Sequence, residues 1–191
     1  MSASQSIKQG LWMKKQISRV SLTKRLVAFM IDWYVSGVLI SLPVLMVMQG
    51  QGKGTVLELR NLPFSSACLA FIGAFLVFLI YFVWVPYQTN GQTLGKKMLG
   101  LQIVEESQGH ISWFALVKRH IVGIMLIEGG LISITPLLWQ VVFYQHADLQ
   151  LTLTSFYYGL SIVSAIMIVI SKKGKALHDA LANTKVIQKE K

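Results

Sequence analysis

Two acidic residues interrupt stretches of this chain that are otherwise free of charge: Asp32 within residues 26–48, and Glu128 within residues 121–144, beside Gly129 and Gly130. An aspartate at the centre of a membrane helix costs about 2.5–3.5 kcal/mol on insertion scales, so such an acid is expected to face protein or water and to have a partner. Held there, a carboxylate can bind and release a proton, because desolvation disfavours its charged form. The rival reading is a structural ion pair or hydrogen bond that fixes helix packing. Arg25 precedes Asp32 by seven residues, with Ala28 between them, which on a helix means two turns along one face and a rise of roughly 10 Å. Its guanidinium could pair with Asp32 or snorkel to the lipid headgroups as an interfacial anchor.

A third acid, Asp179, stands next to His178 in the segment 175–182. There Ala176, Leu177, Ala180 and Leu181 make one apolar helical face. That face should lie against the membrane surface or the mouth of the bundle, leaving His178 and Asp179 toward a polar side. Asp179 and Arg25 then stand at the same membrane level. They are expected to pair and to tie the tail helix to the start of the first span. For His178, a hydrogen-bonded packing role outweighs a proton relay. Glu128 is expected to help Asp32 form a polar cavity. Two carboxylates without an obvious third ligand specify no metal, no nucleophile and base share a helical spacing, and no cofactor is implied. The chain is read as not an enzyme.

The elements that must hold these residues follow from composition: 53% of the 191 residues are hydrophobic and 14% charged, against about 25% charged in soluble domains. The expected fold class is all-α, a polytopic transmembrane bundle with spans at about 26–48, 64–85, 121–144 and 151–170, each near the 20 apolar residues that a bilayer requires. Pro43 should kink the first span and free a carbonyl for Ser41 or a neighbouring helix to satisfy. Tyr81, Trp84 and Tyr87 sit where an interfacial belt would end the second span. In the fourth, Ser155 with Gly159 and Ser161 with Ala165 give small faces for close packing. The first apolar run is too long for a signal core, so it should be retained. Cys68 reads as a small buried hydrophobe.

Sixteen of the eighteen basic residues flank these spans on one side, and only Lys53 and Arg60 fall on the other. By the positive-inside rule both termini are cytoplasmic, in a bacterial-type inner (plasma) membrane. The same asymmetry accounts for the net charge of +10 without a nucleic-acid partner. Residues 1–21 form a cytoplasmic segment with an amphipathic helix in the headgroup plane, where anionic lipid would be its partner. Residues 22–187 form the membrane domain, with a cytoplasmic loop over 86–120, and residues 188–191 close the chain. Within the loop, Gly91 and Gly95 are too close for a phosphate-binding loop and Lys97 stands where magnesium needs a hydroxyl, so nucleotide binding is rejected. Asn90-Gly91 should turn, Leu94, Met98 and Leu99 should form a short amphipathic helix, and 101–104 should pair with 184–187 as a small sheet.

The stretches Arg25 to Asp32, Gly91 to Leu101 and Leu177 to Thr184 together resemble the RDD proteins, named for one arginine and two aspartates. The likeness extends over about 22–187. It implies Arg25, Asp32 and Asp179 as the family triplet and a further basic position at Arg119, while Glu128 lies outside the motif. It also implies transport of an unknown small ligand or ion, for which cation/proton exchange at a buried aspartate is the concrete form. Four helices are few for a carrier, so a homo-oligomer would complete the pathway. The alternative is a non-transporting accessory or scaffold subunit that binds a partner protein or anionic lipid.

Overall fold

A computed structural model of the protein describes residues 20–52, 57–106, 110–129, 134–170 and 175–189. Most of the expected headgroup helix within 1–21, and the last two residues, lie outside the described residues. The fold is a helical bundle with a small two-stranded sheet at one end. Helix α1, Leu22–Gly50, runs through Pro43 without interruption and buries Ala28, Asp32, Ser36, Ile40, Val44 and Met48. That four-residue spacing turns one narrow stripe inward and leaves the apolar remainder for lipid. The Ser41 hydroxyl bonds Val38 O at 2.8 Å, so the Leu39 carbonyl that Pro43 leaves without a donor is not its partner. Gly73 lets the next helix approach at this point, since an added Cβ would lie 2.8 Å from Pro43 Cβ.

That next helix, α2, covers Phe64–Gln88. Ala67, Ala70 and Ala74 are fully buried, and small side chains allow the close approach on which membrane helix pairs depend. Its π-helical stretch Ile80–Trp84 comes just before Pro86, which has no N–H to give to the carbonyl four residues back. Tyr81 continues the buried stripe of Ala67, Ala70, Ala74 and Phe78 at helical spacing: it is 7% exposed, against 50% for Trp84 and 47% for Tyr87. Tyr81 therefore leaves the interfacial belt expected of it.

The Asn90-Gly91 turn forms with positive φ at both residues. Gly91 lies so close to the following strand that an added Cβ would sit 2.1 Å from Ile103 O. After it come α3, Leu94–Met98, and β1, Leu101–Glu105. At the far end of the chain α7, Leu177–Leu181, precedes β2, Thr184–Gln188. The strands pair antiparallel from Leu101↔Gln188 to Glu105↔Thr184. The expected sheet thus forms, and it clamps the loop and the tail together.

Among the described residues three helices are long and apolar enough to cross a membrane: α1, α2 and α6, Ala147–Ile170. The expected span at 121–144 is two pieces. Helix α4, Trp113–Val117, continues as a π-helical segment, Lys118–Glu128, which ends at Gly129 with φ +28°. Helix α5, Ile134–Val142, follows. Across the break, Thr135 Oγ1 donates to Met125 O at 2.9 Å, which supplies a donor to a carbonyl near the segment's end.

Helix α6 lies on the outside of this frame. Ser161 and Ser164 are buried, whereas Ser155 and Gly159 are exposed and nothing lies within 4 Å of a Cβ added at Gly159. The small face at 155–159 therefore points away from the other described residues.

Candidate functional site

Three buried carboxylates, each with its own partners, occupy the end of the bundle that carries the sheet. Asp32 is 2% exposed. Its Oδ1 accepts from the Tyr81 hydroxyl and the Gly95 backbone N–H, both at 2.8 Å. Its Oδ2 accepts from Thr93 Oγ1 at 2.5 Å and from Lys96 Nζ at 3.2 Å. Three of these donors belong to α3 or to the residue that starts it. Gly95 is what lets α3 lie on α1, because an added Cβ would come within 2.3 Å of Ala28 O. Burial pushes the Lys96 ammonium below the usual lysine range; the nearby Asp32 opposes that shift and Arg119 adds to it.

Asp179 is fully buried and gathers two guanidinium groups. Arg25 Nη2 donates to Oδ2 at 3.0 Å, and Arg119 Nη1 donates to Oδ1. The Ala176 N–H also reaches Oδ2 at 3.1 Å, and Arg119 Nη1 continues to Thr184 Oγ1 at 2.7 Å. The site thus draws on α1, the 118–128 segment, the tail helix and β2. Burial alone would raise the Asp179 pKa. The charge of Arg119, then of His178 and Arg25, outweighs that and holds the carboxyl well below its usual range. The polar side expected of the tail helix is its interior side, and Ala180, assigned to the apolar face, is exposed.

Glu128 is 8% exposed and shares no hydrogen-bond partner with Asp32 among the described residues. Its Oε1 accepts from Ser164 Oγ at 2.8 Å and from the His178 backbone N–H at 2.7 Å. His178 Nδ1 stands 2.9 Å from Oε2. Ser161 Oγ donates to the Glu128 carbonyl at 2.6 Å.

Of the residues singled out from the sequence, the structure brings Arg25, Arg119 and Asp179 into one cluster, and Glu128 and His178 into a neighbouring pair. Asp32 stands apart from both. Its partners Tyr81, Thr93 and Lys96 were not singled out as site residues: Tyr81 read as an interfacial aromatic, and Thr93 and Lys96 as part of the loop stretch 91–101. Gly95 did carry a signal, as a glycine inside a short amphipathic helix, where it weakens the helix unless close packing requires it.

A protein-family model described as the RDD family matches residues 19–183 of the chain. The comparisons with curated proteins and with solved structures found no match.

Proposed function

The chain belongs to the RDD family, and on that premise we propose that it is a membrane carrier exchanging a small cation for a proton at the buried carboxylate of Asp32. The supporting observation is the Lys96 ammonium 3.2 Å from Asp32 Oδ2, on a lysine that burial makes less basic. A cargo cation and that ammonium compete for the same oxygen. Lys96 yields either by swinging away on its flexible stem or by losing its proton. In the arrangement described, Asp32 is closed off, so exchange requires α3 to lift from α1. The test is purified protein in liposomes under an imposed sodium, potassium or proton gradient, read by an internal pH dye. Wild type should carry flux and Asp32→Asn should not. Flux absent from both ends the carrier reading and leaves the second one, an accessory or scaffold subunit. That alternative draws support from the full set of donors on Asp32 and Asp179.

We further infer that the sheet end is cytoplasmic, at the inner face of a plasma membrane. Lys24 reaches Gln188, Lys189 reaches Gln92 and Lys175 pairs with Glu106 around the sheet. Arg60 lies at the other end, where the Tyr144 hydroxyl donates to its carbonyl. This asymmetry follows the positive-inside rule and would suit anionic lipid. With Cys68 replaced by alanine, a cysteine at Lys97 should resist an impermeant maleimide in intact cells, and one at Arg60 should react. The reverse pattern would overturn this orientation. The outward face at Ser155 and Gly159 supports a homo-oligomer in which two copies complete the pathway.

A further inference from the structure

We propose that Glu128 and His178 form a proton-binding site, separate from Asp32, through which the proton enters and leaves the protein. Three buried acids differ in what opposes their charge. Asp179 faces two guanidinium groups, which do not deprotonate in proteins. Asp32 faces an ammonium. Glu128 faces an imidazole, with His178 Nδ1 2.9 Å from Oε2, and histidine is the side chain whose charge ordinarily changes between pH 5 and 8.

The charged and titratable surroundings of the pair are few among the described residues. On the tail helix Asp179 Oδ2 lies 4.0 Å from His178 Nε2. Arg119 of the 118–128 segment and Arg25 of α1 both hold Asp179. His120 lies on the same segment as Arg119, buried, with Nδ1 3.0 Å from Leu116 O. Helix α6 contributes the hydroxyls of Ser161 and Ser164, and its Tyr157 packs near Gly129, where an added Cβ would be 3.1 Å from the ring. The two guanidinium groups balance Asp179 and Glu128 in sum. Taking up a proton on His178 therefore moves this group from neutral to one positive charge.

The proton on Nδ1 is shared with the carboxylate, and either partner can pass it on. The neighbouring face of α6 offers a route. Thr154 Oγ1 and Gln150 Oε1 are buried without a protein partner among the described residues, as is Trp139 Nε1. Gln150, Thr154, Tyr157, Ser161 and Ser164 recur at alternating intervals of four and three along α6, which places them on one face. Trp139 stacks on Tyr157 at 5.7 Å between centroids. Chains of intramembrane Glu and His with polar neighbours are the usual build of proton relays. The site is also set into the fold. Gly123 makes room for the tail helix, since a Cβ there would lie 2.7 Å from His178 Cβ, and Ser164 Oγ accepts from the Leu177 N–H at 3.1 Å.

The role as the proton leg of exchange rests on the carrier reading; the site itself does not. The chain has four histidines, so imidazole NMR of the full-length, histidine-labelled protein in micelles is tractable, with His178→Gln assigning the signal. The His178 imidazole signals of wild type and Glu128→Gln should differ in their response to pH. Glu128→Asp keeps the charge and should restore much of the difference, which separates loss of the carboxylate from loss of fold. A His178 response to pH that is the same in wild type and Glu128→Gln overturns the site. In liposomes His178→Gln should suppress the proton flux that a cation gradient drives; an unchanged proton flux overturns the proton role. If no variant shows flux but the NMR shift is found, the carrier reading fails and the site stands.

Discussion

Replacing Asp179 with asparagine should cost about 3–5 kcal/mol of stability, the expected loss when one partner of a buried ion cluster is removed and the others remain. The neutral amide would leave Arg119, whose side chain is 3% exposed, facing the interior without its carboxylate. Arg25→Gln should cost less, because that side chain is 14% exposed and water reaches it. Thermal or denaturant unfolding of the purified protein in detergent checks both. An Asp179→Asn variant within about 1 kcal/mol of wild type, a value typical of exposed pairs, would show that Asp179 is not the bolt the geometry implies. Acid should act in the same direction. Asp179 has its pKa lowered on folding, so its stabilisation is complete above the ordinary carboxyl value of 3.8 and is lost as pH falls below it. A charge swap between Arg25 and Asp179, the usual test of a pair, should fail here even though the pair is real. It would place the new arginine against Arg119.

The cluster explains which parts of the molecule could be read from residue order alone. The spans, the Asn90-Gly91 turn, the helix at Leu94 and the pairing of 101–104 with 184–187 each follow from a local pattern: apolar length, turn chemistry or alternation. Arg25 and Asp179 were accessible because membrane depth confines charged residues to a few levels, so two of opposite sign at one level are natural partners. What faces Asp32 was not accessible. Tyr81 looks like any aromatic near a membrane surface, and its place on the buried stripe after Phe78 shows only once the helix is packed against α1. Lys96 looks like a topology signal, and it becomes a partner because Gly91 and Gly95 fold the loop back on α1. Glu128 and Asp32 were grouped as the two acids in apolar runs, yet the break at Gly129 delivers Glu128 to α6 and the tail helix instead. Contacts set by loop return and helix rotation depend on tertiary packing, which local periodicity does not encode.

Gly95→Ala should dismantle the Asp32 site with a single methyl group. The added Cβ would stand 2.3 Å from the Ala28 carbonyl oxygen and 3.1 Å from the Asp32 carboxyl carbon. The first of these contacts is backbone of α1, which is held in the bundle core and has no rotamer to change. Helix α3 must therefore move outward. A shift of about 1 Å is enough to turn the 2.8 Å bond from Gly95 N to Asp32 Oδ1 into no bond, since hydrogen bonds weaken steeply beyond about 3.2 Å. Thr93 and Lys96 lie on the same short turn and move with it, leaving Tyr81 as the remaining donor on Asp32. A buried carboxylate so deprived loses most of the hydrogen bonds that offset its burial. Thermal or denaturant unfolding in detergent should register that loss. Stability should fall by about 2–5 kcal/mol, the range for unsatisfied buried charge and overpacking together. Gly159→Ala is the matched control, because its Cβ meets nothing within 4 Å among the described residues and alanine favours a helix interior by about 1 kcal/mol over glycine. If both substitutions proved equally mild, α3 would not be seated on α1 by Gly95, and the donors on Asp32 would have to come from a looser loop. Equal damage from both would instead place the outward face of α6 against a second chain.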